Sequence, residues 1–116
     1  MLLNIILAGA VLLSSLTIAK AEPRPRLLLP PVEYDFPYKG KLYVEVLSSF
    51  QLKWKCGFFA KACAFGGVQT GADYCIIVLP PIDGRSVNRE GFLGLKRHEE
   101  GHCNGWHASH PGMRVQ

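Results

Sequence analysis

The chain gathers all four of its histidines into one short stretch, Arg97-His98-Glu99-Glu100-Gly101-His102-Cys103-Asn104-Gly105-Trp106-His107-Ala108-Ser109-His110-Pro111-Gly112. On a helix, positions four apart stand one turn above each other on the same face, so His98 and His102 can offer two imidazole nitrogens to a single ion. Glu99 lies close enough to that face to take a proton from a metal-bound water. Gly105 follows His102 by three residues and can turn the chain so that a later histidine closes the site. Two histidines are placed to do so. A wide turn brings back His110, which is favoured because Pro111 biases it toward extended backbone; a tighter turn would bring His107 instead. Glu100 is rotated about 100° from Glu99 and reads as a solvated neighbour. Cys103 is rotated as far from His102 and reads as a disulfide partner of an upstream hairpin rather than a fourth ligand.

His98-Glu99-Glu100-Gly101-His102 is an HExxH pentapeptide and resembles the active-site helix of zinc-dependent metallopeptidases, the zincins. The added Gly105 is similar to the metzincin signature HExxHxxGxxH, although the third ligand position of that signature falls here on Ala108, with His107 and His110 on either side. The wording HExGHxNGWxxxH is also similar to small exported bacterial proteins regarded as zincin-like, in which the last histidine belongs to the pattern. The resemblance covers residues 97–112 firmly and the upstream cysteine-bearing hairpin loosely. It implies Zn2+ held by His98, His102 and His110 (or His107), Glu99 as general base, and hydrolysis of a peptide or protein substrate. It further implies that the strand around Ile76–Leu79 lies beside the cleft and pairs with extended substrate. The alternative is a non-catalytic exported zinc-binding or interaction protein, in which metal replaces missing core.

The elements that must position these residues are few. Residues 22–40 carry five prolines and read as an extended N-terminal arm whose Leu27-Leu28-Leu29 can dock on the core. Lys41–Leu47 alternates as a half-buried strand, and Phe50–Lys55 fits either a strand or a short helix. Ala62–Phe65 and Tyr74–Leu79 flank a glycine-rich connection and read as a hairpin, its second arm running inside the sheet until Pro80-Pro81. After Asp83-Gly84, Ser86 or Asn88 can cap a helix over about 89–104, terminated by Gly105. Gly91, Gly94 and Gly101 each weaken that helix by about 1 kcal/mol relative to alanine, so its order must come from outside. Close packing, a disulfide through Cys103 or a metal across one face would each supply it. Trp106 reads as a hydrophobic plug over the helix end; Tyr43, Trp54 and Tyr74 read as core or cleft wall.

The fold class that follows is α+β, a small antiparallel sheet from residues 41–79 packed on the HExxH helix and stapled by disulfides, with the zincin-like domain spanning 41–116. Residues 1–21 read as a signal peptide: an apolar run ending in Ala19-Lys20-Ala21. Cleavage leaves 95 residues, a size that usually needs disulfides or metal. An even set of cysteines, Cys56, Cys63, Cys75 and Cys103, fits two disulfides in a periplasmic or secreted protein, with three pairings open. If the leader is retained, the protein is membrane-anchored; if cleaved, no stable span remains. The formal net charge of +4 is spread along the chain without a basic stripe, which argues against a nucleic-acid partner. No oligomeric state is legible.

Overall fold

The computed structural model describes residues 14–16 and 24–116, so the expected signal segment at 1–21 lies almost wholly outside the described residues. The central sheet is built on Tyr74–Leu79 (β4), whose unbroken apolar run buries Cys75, Ile77, Val78 and Leu79 completely. Such a strand needs a partner on each side and cover on its faces. Lys41–Val46 (β2) pairs with it in parallel, and Cys63–Gly66 (β3) pairs antiparallel as the first arm of the expected hairpin. The sheet is therefore mixed, in the order β2-β4-β3. Its parallel half arises because β2 is followed by a helix, Ser49–Cys56 (α1), and by β3 before the chain returns to β4. Alternation within β2 carried no information about strand direction.

This order corrects one expectation. Ile76–Leu79 lies in β4, which is paired on both sides, so its backbone has no free edge for a substrate; β2 and β3 are the edge strands, and β3 is the one beside the groove. Of the two readings of Phe50–Lys55, the helix is the one formed. Ser48 caps it with a capping box: its hydroxyl accepts from Gln51 N–H while the Gln51 side chain accepts from Ser48 N–H.

The second helix, Arg89–Cys103 (α2), begins where Asn88 Oδ1 accepts from Gly91 N–H at 2.8 Å. It ends in a Schellman arrangement: Trp106 N–H bonds Gly101 O, Gly105 N–H bonds His102 O, and Gly105 takes φ +105°. The order its glycines deny it is supplied by the proline-rich arm. The arm runs along α2 with Leu27 against Gly94 and Pro30 against Gly101; it is a strand at Leu28–Leu29, and the expectation of an extended arm fails at Val32–Tyr34, where it turns through a 3-10 helix. Leu28–Leu29 (β1) then pairs antiparallel with Arg114–Val115 (β5), which clamps the arm from its other side. Leu29 is fully buried. Asp35, farther along the arm, takes ion pairs from both Arg97 on α2 and Arg114 on β5. Hydrogen bonding to Arg97, then to Arg114, holds the Asp35 carboxyl below its ordinary pKa against the effect of burial.

Two disulfides staple the layers. Cys75–Cys103 ties β4 to the last turn of α2, and Cys56–Cys63 ties α1 to β3. The first closes a 28-residue separation, worth about 3–4 kcal/mol in the chain-entropy view. Trp54 is not core: it is 71 % exposed, and Tyr43 and Tyr74 are also exposed.

The two arm-facing glycines should answer differently to alanine. At Gly101 a Cβ meets Pro30 Cβ at 2.6 Å, part of a rigid ring in a clamped segment, whereas at Gly94 it meets only the tip of Leu27. Gly101→Ala should destabilise by about 1–2 kcal/mol despite the better helix propensity, and Gly94→Ala should stay within about 1 kcal/mol of the parent. Thermal unfolding of the two variants compares them.

Candidate metal centre

The capped helix α2 sets His98 and His102 one turn apart, and the Schellman turn then throws Trp106 back beneath them. Trp106 is 1 % exposed and touches all three histidines of the cluster. Its ring stacks on His102 at 4.7 Å and 12°, and its indole N–H donates to Pro111 O at 2.8 Å. That bond anchors the loop carrying His110. The loop is the wider of the two expected, but its mechanism differs from expectation: His110 is not extended. It takes a left-handed φ of 61°, its N–H bonding His107 O, because the chain must reverse within three residues. Histidine tolerates this region better than most side chains, at a strain of order 1–3 kcal/mol.

The result is a triangle of Nε2 atoms. His98 and His102 stand 3.3 Å apart, and His110 is 3.1 Å from each. His107 stands outside it, exposed, with Nδ1 engaged by Ser109. His98 Nδ1 lies 2.6 Å from Leu28 O, and His102 Nδ1 lies 2.8 Å from Trp106 O. A carbonyl only accepts, so both Nδ1 atoms carry the proton and both Nε2 atoms are bare lone pairs. Two lone pairs at 3.3 Å cannot hydrogen-bond each other; a cation between them satisfies both. Three nitrogens each about 2.0–2.1 Å from a tetrahedral ion would be ~3.3 Å apart, so the spacing fits. The three histidines can thus hold a metal ion, and among the described residues no fourth ligating side chain joins them. Cys103 is withdrawn from that role by its bond to Cys75.

Burial lowers the pKa of His98 to about 4, and lowers that of His102 for the same reason, which keeps the donors unprotonated at neutral pH. Glu99 is 6 % exposed, and burial alone pushes its carboxyl up to about 7. It lines the same groove as the three histidines, a cavity of about 1470 Å³ whose walls include the arm at Leu28 and the edge strand at Ala64 and Gly66. Glu100 is not the solvated neighbour expected. It is 8 % exposed, accepts Tyr38 N–H at 3.0 Å and pairs with Lys96 at 2.8 Å, fastening the arm to α2. Sequence reasoning missed the Leu28 carbonyl altogether; the glycines at 94 and 101 were the available signal that a segment presses on this helix.

No protein-family profile matches the chain, and neither a characterised protein nor a solved structure shows significant similarity to it.

Two measurements test the centre. His110→Ala should weaken binding of added zinc by more than the roughly 10–100-fold that loss of a ligand's hydrogen-bond partner costs, whereas His107→Ala should bind like the parent. Isothermal titration of chelator-stripped protein reads both.

The second is a pH profile of the metal-free state. Unfolded His98 takes a proton near pH 6.5, which the folded chain refuses until about pH 4. Stability from this group is therefore full above ~6.5 and is lost as pH falls toward 4. Glu99 acts oppositely: with its pKa raised to about 7, stability is full below ~4.5 and is lost as pH rises to 7. In a Glu99→Gln background, the metal-free melting temperature should fall continuously from about pH 7 to 4.5, more steeply than in the parent.

Proposed function

We propose that this protein is an exported zinc-dependent peptidase or related amide hydrolase, with His98, His102 and His110 holding the ion and Glu99 acting as general base. The observation that carries the reading is the triangle of three histidine Nε2 atoms, two of them bare lone pairs, lining the same groove as Glu99, whose carboxyl pKa burial raises to about 7. When bound, zinc supplies a Lewis acid for the scissile carbonyl and brings the pKa of a coordinated water to about 7.

The chain's own groups do the rest. The carbonyls of Leu28 and Trp106 fix the ligand tautomers and ring orientations. Glu99, poised near neutrality in a poorly hydrated wall, takes a proton from the attacking water and returns it to the leaving amine. Extended substrate has an edge to follow in β3. Gly67 N–H bonds Tyr74 O, and antiparallel alternation then turns the N–H and C=O of Ala64 and Gly66 away from β4. The two disulfides are compatible with an oxidising compartment, and among the described residues no helix is long and apolar enough to cross a membrane.

The alternative, a zinc-binding protein without catalysis, separates on one substitution. Glu99→Gln preserves size and removes the base. Under the enzyme reading, zinc content stays near one equivalent while cleavage of a broad peptide library falls at least about 100-fold. Zinc below about half an equivalent in purified parent protein would remove both readings. Full zinc loading with no cleavage of any library member favours the non-catalytic one.

A further inference from the structure

The helix α1 buries only Leu52 and turns a row of aromatic rings outward. Phe50 and Trp54 meet edge to face at 6.2 Å, and Trp54 and Phe58 do so at 6.3 Å. These three are 71, 71 and 68 % exposed, and the next residue, Phe59, is fully exposed. Three aromatic rings in contact, with a fourth at the adjoining Phe59, stand exposed to water as the kind of apolar patch that marks an interaction surface. It is not a slack surface. The Cys56–Cys63 disulfide closes the loop that carries Phe58 and Phe59, so their presentation is held in place before any partner arrives.

The charge around the patch is one-sided. No acidic residue occurs from Val46 to Ala72, while Lys53, Lys55 and Lys61 all fall within that span. On the helix, Lys53 and Lys55 each lie about 100° from Trp54, one on either side of the aromatic row. Lys55 is paired with Glu45; among the described residues Lys53 and Lys61 have no acidic partner. Indole and phenyl rings flanked by lysines suit the boundary between lipid headgroups and acyl chains, where rings bury and ammonium groups meet anionic phosphates.

We propose that Phe50, Trp54, Phe58 and Phe59, with Lys53 and Lys61, dock this protein peripherally on an anionic phospholipid bilayer. The disulfide-closed loop also forms part of the groove wall, through Phe59, Ala60 and Lys61. Docking would set the groove mouth beside the membrane surface. The proposal stands independently of the metal chemistry.

The chain from residue 22 carries every strand, helix and disulfide described and is the form to test. It is mixed with vesicles of phosphatidylcholine alone or of phosphatidylcholine with phosphatidylglycerol, and binding is read by co-sedimentation and tryptophan emission. Trp106 is buried, so a shift to shorter wavelength reports Trp54. The expected result is binding to the mixed vesicles, weakened by salt, with a blue shift. The pair Lys53→Glu and Lys61→Glu should reduce partitioning at least about tenfold. Trp54→Ser should abolish the shift, and Phe59→Ser, at a fully exposed site that packing does not constrain, should weaken binding even if Trp54→Ser misfolds. Failure to bind either vesicle overturns the proposal, as does equal binding to both that ignores the lysine changes. A concentration-dependent dimer lost in Phe59→Ser, without vesicle binding, would assign the patch to a second copy of the chain.

Discussion

Two backbone carbonyls decide what the histidine cluster presents to an ion. Leu28 O and Trp106 O each accept an Nδ1–H, and that choice of tautomer leaves the Nε2 atoms of His98 and His102 as lone pairs 3.3 Å apart. Without those acceptors, the imidazoles could rotate or protonate and share a hydrogen bond, and the cluster would be an ordinary surface patch. With them, the site is arranged so that a cation relieves an electrostatic conflict built into the fold. One acceptor comes from the far end of the helix turn and the other from a strand near the N-terminal side of the described chain. The candidate metal centre is therefore a tertiary object even though its three histidines are close in sequence.

That dependence explains the odd composition of α2. A helix with glycine at 91, 94 and 101 is poor by propensity, yet two of these positions meet the arm at Leu27 and Pro30. Small residues let the arm approach closely enough for Leu28 O to reach His98. Asp35, Arg97 and Arg114 form a partly buried ion cluster around the same junction, and Glu100 adds the Tyr38 and Lys96 contacts. Breaking such a cluster by removing one charge costs more than its net contribution, because the remaining charges lose their partners. The arm, helix and β5 are thus interdependent.

Trp106 plays the corresponding role on the other side. Its burial, its stacking on His102 and its indole bond to Pro111 couple the end of the helix to the loop that returns His110. The left-handed strain at His110 is carried by this packing. A small protein with a thin core holds its site through covalent staples and a single large buried ring, where a larger one would use many interchangeable apolar contacts.

Much of this was legible in the residues alone. The i and i+4 histidines, the glutamate between them, the glycine stop, the hairpin and the buried run at Tyr74–Leu79 are local patterns, and local patterns are what sequence carries. The tie from Cys103 to the hairpin was legible too, because a cysteine turned off the ligand face needs another partner. The rest required the fold. Strand direction in β2 is invisible to alternation, since a strand shows the same period whether its neighbour runs with it or against it. Glu100 looked solvated because helical rotation places it off the ligand face, but a segment more than sixty residues away covers it. The preference of a pre-proline residue for extended backbone gave way at His110 to the demand of a three-residue reversal pinned by Trp106. Sequence determined which groups could bind a metal; only tertiary structure decided which nitrogens face one another, because that choice is made by carbonyls whose positions no local pattern encodes.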